Sequence, residues 1–274
     1  MAAPALILLS EGVVVADTIT KLPPGAAGSV VVSGSHGGRY PGYLAAVGGV
    51  RAVILCDAGI GRDEAGIGSL PYLDAFGIAA AAVSHLSCRI GDTGDMLARG
   101  RISRANAAAA MLGVAPGDTT LDAAAKLRAA RLVGVKPEPL GEARACVDQP
   151  GLRRIVLLDS AALVGPGDAD QIVVTGSHGG LVGGNPAMAL RVDGFAAVYN
   201  DAGIGIDDAG IGRLPALDQR GIAAFTVSAA SARIGEACST FEDGVISAVN
   251  RTAAGMGAEV GAPARGILLA WAEA

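Results

Sequence analysis

The stretch Asp-Ala-Gly-Ile-Gly-Arg-Asp-Glu-Ala-Gly-Ile-Gly at residues 57–68 returns at 201–212 as Asp-Ala-Gly-Ile-Gly-Ile-Asp-Asp-Ala-Gly-Ile-Gly. Only Arg62/Ile206 and Glu64/Asp208 differ between the copies. Upstream of each lies Gly-Ser-His-Gly-Gly, at 34–38 and at 176–180. Downstream comes Val-Ser-x-x-Ser-x-Arg-Ile-Gly, from Val83 to Gly91 and from Val227 to Gly235, and from Asp57 onward the copies stand 144 residues apart. A period this long is a domain-sized unit occurring twice, not a solenoid repeat.

Between the shared strings run short apolar stretches and helical patterns. Strands are expected at 5–9, 29–33, 52–56 and 78–83, then near 154–158, 171–175, 195–199 and 222–227. They are continuous Val, Ile and Ala runs, as expected of strands buried on both faces. Helices are expected at 41–48, 70–76, 104–113 and 121–131. The expected fold class is therefore α/β: internally duplicated, Rossmann-like layers with mostly parallel sheets in two halves related by a pseudo-twofold. Domain bounds follow at 1–131 and 152–274. The Pro-bearing tract 132–151, which has no counterpart, is expected to link them.

Pro41 and Pro186 suit first helical turns, with Asn185 as an N-cap. Gly77 and Gly221 suit helix C-termini. Ser103 and Ser247 read as N-caps of following helices.

Composition narrows the partners. The 274-residue chain carries a net charge of −5, which disfavours nucleic acid. No uninterrupted apolar run is long enough for a membrane span. The opening MAAPALILLSEG lacks a basic start and resembles the head of the second copy, so it reads as a strand rather than a signal peptide. The cysteines at 56, 88, 146 and 238 are not duplicated, and a reducing cytoplasm is expected. Low charge and abundant glycine are compatible with a homo-oligomer.

The three shared strings each follow an expected strand, so they fall at the carboxyl ends, where open α/β sheets bind ligands. His36 and His178 lie among small residues and suit general acid–base work. Asp57 and Asp201 end strands and can orient a histidine, act as a base or bind a metal. Ser35, Gly37 and Gly38, with Ser177, Gly179 and Gly180, would approach a substrate closely. Ser87 and Arg89, with Ser231 and Arg233, would hold a carboxylate through the planar guanidinium. The plainer readings are glycine turns, Asx turns, and arginines paired to Asp92 and Glu236. Asp63 and Asp207 read as caps.

The glycine pattern is neither GxGxxG nor a Walker A loop, so no nucleotide cofactor is expected. His and Asp have the donor chemistry for a divalent metal, but no HExxH-type spacing points to one. Lysine is confined to positions 21, 126 and 136, outside the shared strings, so a Schiff-base mechanism has no paired candidate. Some positions break the symmetry: His85 faces Ala229, Cys56 faces Asn200 and Cys88 faces Ala232. If only one half is active these positions distinguish it, with His85 and Cys88 marking the first; drift accounts for them equally well.

The expectation is a small-molecule enzyme with paired His/Asp groups acting on a carboxylate or carbonyl compound, by proton transfer of the isomerase or racemase kind. An amide or lactam hydrolase, metal-assisted or not, is the alternative, and a non-catalytic metabolite-binding protein the third.

Overall fold

The computed structural model describes residues 12–274; the strand expected at 5–9 lies outside the described residues. Contacts divide the chain into two units. The first comprises residues up to Ala58, Gly66–Leu140 and Gly205–Asp207; the second comprises Gly59–Ala65, Gly141–Ile204 and Asp208–Ala274. Each unit therefore contains a short piece of the other copy's Asp-Ala-Gly-Ile-Gly string.

The first unit holds β1 (Val13–Ala16), β2 (Val30–His36), α1 (Arg39–Val47), β3 (Ala52–Cys56), α2 (Ser69–Asp74), β4 (Ala79–Val83), α3 (Thr93–Arg99), β5 (Ile102–Ala105), α4 (Ala107–Ala110) and α5 (Thr120–Leu127). Its sheet runs β1-β2-β3-β4-β5; the first four strands are parallel and β5 is antiparallel. In the second unit come β6 (Arg144–Cys146), β7 (Ile155–Leu158), β8 (Ile172–His178), β9 (Ala196–Asn200), α6 (Arg213–Asp218), β10 (Ala223–Val227), α7 (Ala237–Glu242), β11 (Ile246–Val249), α8 (Arg251–Gly255) and α9 (Ala264–Glu273). Four parallel strands, β7 to β10, are flanked there by antiparallel β6 and β11.

The α/β class is thus as expected. The parallel strands follow one another in strictly sequential order, without the reversal that creates a switch-point crevice in doubly wound sheets. Why the strands read as unbroken apolar runs is plain in the second unit. Ile155, Ile172, Val174, Val198 and Phe225 pack on one face with Phe241, Leu268 and Trp271. Val156, Val173, Ala197 and Tyr199 pack on the other with Leu214 and Leu217. Period-two alternation sends neighbours to opposite faces, and both faces are covered, so every position must be apolar. Each Val or Ile removed from water contributes roughly 1.5–3 kcal/mol.

Several expected boundaries change. Residues 104–113 are not one helix: β5 occupies Ile102–Ala105, and only Ala107–Ala110 are α-helical. Ser103 and Ser247 are consequently strand residues and not N-caps; the Ser103 hydroxyl lies 3.2 Å from the Ala82 carbonyl and that of Ser247 3.0 Å from Thr226 Oγ1. The caps are Asn106 and Asn250, three residues later, whose side chains accept from the N–H of Ala109 and Ala253. Within the tract 132–151, Arg144–Cys146 pairs with β7. Asn185 caps Pro186–Met188, a single 3₁₀ turn. Gly77 and Gly221, at φ 72° and 68°, close the turns after α2 and α6.

Candidate functional site

In the first unit the three strings meet at the carboxyl edge of the sheet. The Gly37 N–H donates to the Cys56 carbonyl (2.6 Å), the Gly91 N–H to Gly34 (2.9 Å) and the Asp57 N–H to Val83 (2.8 Å). Gly37 is obligatory, because a Cβ there would sit 2.7 Å from the Gly66 carbonyl oxygen. Corresponding bonds in the second unit run from Gly179 to Asn200 (2.8 Å), from Gly235 to Gly176 (2.7 Å) and from Asp201 to Val227 (2.9 Å).

The acidic string forms a backbone of unusual shape. Ala58, Ile60, Asp63 and Glu64 have positive φ, as do Ala202, Ile204, Asp207 and Asp208. For a β-branched residue such as isoleucine this is a true outlier, and such strain persists only where neighbours hold it in place. Asp57 and Asp201 stand at the head of these turns.

Asp57 is buried, at 2% exposure. Its Oδ1 accepts the His85 backbone N–H (2.9 Å) and faces His85 Nδ1 at 2.8 Å. Burial alone would raise the carboxyl pKa, but the hydrogen bonds from the His85 ring and backbone outweigh it and hold the group below the usual carboxylate range. The imidazole is clamped at one nitrogen, and its side chain is 17% exposed. Nδ1 donates to the carboxylate, so Nε2 is the nitrogen left to exchange a proton. The arrangement can take up a proton at Nε2 and stabilise the resulting imidazolium through Asp57.

In the second unit Ala229 replaces His85. Asp201 Oδ1 there accepts only backbone N–H groups in the bonds resolved, those of Gly203 and Ala229 (both 2.8 Å). The carboxylate holds the strained turn without orienting an imidazole.

His36 and His178 share a different hydrogen-bond arrangement. Each Nδ1 accepts the N–H two residues on, from Gly38 and Gly180 respectively (both 3.2 Å). Desolvation lowers the His36 pKa to about 4, so the ring is neutral at physiological pH. The N–H groups of Gly37, Gly38, Gly179 and Gly180 are all used inside the protein. Ser35 and Ser177 accept the N–H of Ile19 and Ala161. Ser87 and Ser231 each bridge within their own loops, donating to Ser84 and Ser228 and accepting from Arg101 and Val245.

The arginines have carboxylates already. Arg89 reaches Asp207 (2.8 Å), Asp95 (3.3 Å) and Asp92 (3.8 Å). Arg233 grips Asp63 through Nε and Nη2 (both 2.7 Å) and lies 3.6 Å from Glu236. Asp63 and Asp207 are thus ion-pair partners rather than caps. Cys56 and Cys88 are fully buried, the Cys88 thiol donating to the Ser84 carbonyl (3.7 Å), and the Cys88 side chain together with burial pushes the Cys56 thiol up, which makes it a poor nucleophile. Among the described residues no group of three or more His, Cys, Asp or Glu side chains is placed to hold a metal ion. No described helix is long and apolar enough to cross a membrane.

His85, the partner of Asp57, lies outside the His36 and His178 pair. Its signal was present in the sequence as the one histidine that breaks the repeat. No protein-family model, curated protein or solved structure matches the chain.

Proposed function

We propose that the chain is an acid–base enzyme in which His85, oriented by Asp57, exchanges a proton with a small carbonyl or carboxylate compound, in the manner of an isomerase or racemase. One observation carries this reading: a partly exposed imidazole held at Nδ1 by a buried, ionised carboxylate. Orientation by a carboxylate is what makes histidine an effective base, and a positioned general base contributes on the order of 10²–10⁴-fold. His85 Nε2 removes a proton from the carbon next to the substrate carbonyl. The electron pair moves into the carbonyl as an enolate, and the imidazolium returns the proton to a different carbon or a different face. Asp57 stays ionised throughout.

The paired use of His36 and His178 has less support, since both spend Nδ1 on loop geometry and His36 is a weak base. Arg89 and Arg233 would have to release chain carboxylates before binding a substrate. The free thiols of Cys56, Cys88, Cys146 and Cys238 fit a reducing cytoplasm.

The test is solvent-deuterium incorporation into a panel of small α-substituted carboxylic and keto acids. Enzyme-dependent exchange at the carbon beside the carbonyl is expected. Amide or lactam hydrolysis without exchange would move the same Asp–His pair to activation of water, the hydrolase reading. Binding with neither reaction would leave a metabolite-binding protein.

A further inference from the structure

The first unit also contains a cleft of about 430 Å³, whose lining includes none of the residues of the shared strings. Arg39 and the ring pair Tyr72 and Phe76 form one side; the extended run Lys136-Pro137-Glu138-Pro139-Leu140 forms the other. The rings meet edge to face, with centroids 5.3 Å apart at 71°. The Arg39 guanidinium lies over Tyr72, 5.7 Å from the ring centre. Among the described residues no carboxylate lies within ion-pair distance of Arg39 or Lys136.

We propose that this cleft binds an aromatic monocarboxylate. Its size falls within the range of small-molecule pockets, roughly 300–1,000 Å³. Two aromatic rings and two prolines offer flat apolar walls for a ring, and the two unpaired cations offer a carboxylate its partners. Glu138 leaves the lining with one net positive charge, which suits a single negative charge and disfavours di- and triphosphates. The second copy supplies an independent argument. Leu181, Ala216 and Arg220 occupy the positions of Arg39, Tyr72 and Phe76, and the run 136–140 has no counterpart. Every side of the cleft is therefore built from what the first copy does not share, so the shared architecture does not account for it.

The test is calorimetric titration of the full chain with benzoate and 2-naphthoate, alongside acetate and benzyl alcohol. Saturable binding of the aromatic acids is expected, with 2-naphthoate the tighter. Acetate and benzyl alcohol, lacking the ring or the charge, should each bind at least tenfold more weakly. The exposed double substitution Arg39→Gln, Lys136→Gln should weaken benzoate at least tenfold while the melting temperature stays put. Amide shifts on titration should centre on residues 39, 72, 76 and 136–140. Absence of saturable binding overturns the proposal, as does equal binding by wild type and double variant, or amide shifts centred elsewhere.

Discussion

Asp57 and Asp201 occupy the same place in the shared string, yet one faces an imidazole and the other an alanine. What a carboxylate does is decided by the residue two places beyond the next strand, here His85 or Ala229. His36 illustrates the converse, a histidine whose Nδ1 accepts the N–H of a turn. Its pKa of about 4 lies below the ordinary value of 6.5, so the unfolded chain binds the proton more readily than the fold does. Stability from this residue is complete above pH ~6.5 and falls as the pH drops towards ~4, by up to about 3 kcal/mol. Urea titrations across that window should show wild type losing more stability than His36→Asn; parallel losses would contradict this assignment. At this scale the sequence was half legible. His36 ends β2, and Asp57 and His85 follow β3 and β4, all at one sheet edge. Which histidine meets Asp57 depends on β4 lying beside β3 and on where the chain leaves it, and side-chain reach there is not encoded in spacing.

The helices and strands were more legible, because burial on both faces enforces apolar runs that composition reveals directly. The two misplaced caps share one cause. Around Ser103 and Ser247 a four-residue strand is followed at once by an asparagine and a short helix, and serine and asparagine compete as capping signals. Asn106 and Asn250 won because the first makes three side-chain hydrogen bonds and the second four. The Asn250 side chain accepts the N–H of Ala253 (2.9 Å) and Ala224 (3.0 Å) and donates to the Ile222 carbonyl (2.8 Å), tying α8 to β10. Asn250→Ala leaves buried backbone groups without partners, so a loss of about 2–3 kcal/mol is expected in denaturant unfolding. Ser247→Ala should cost under about 1 kcal/mol, since its one bond is to another hydroxyl. A reversal of these two effects would restore serine as the cap. Strand β6 escaped notice because the tract around it is rich in proline, which masks a three-residue edge strand.

The doubled strings were visible at once, and they bear on the whole molecule through the ion pairs they carry. Asp207 belongs to the first unit with Arg89 and Arg99, and Asp63 to the second with Arg233. These pairs are solvent-exposed, so each contributes little and is weakened by salt. Asp63→Asn and Asp207→Asn should therefore each lower the melting temperature slightly at low ionic strength, and the difference from wild type should shrink in 1 M salt. A large, salt-independent loss would show that these carboxylates do something other than pair. The asymmetries matter more than the symmetry: the departures from the repeat that carry a function in this account, His85 and the lining of the cleft, fall in the first copy. Both were readable as mismatches in the repeat, whereas their meaning needed coordinates. The account's central claim is that His85, and not His36, is the base. It is tested most directly by the rate of solvent-deuterium incorporation into a responsive acid by wild type, His85→Gln and His36→Asn. A fall of on the order of 10²–10⁴-fold is predicted for His85→Gln, with His36→Asn within tenfold of wild type; full exchange by His85→Gln together with collapse in His36→Asn would contradict it.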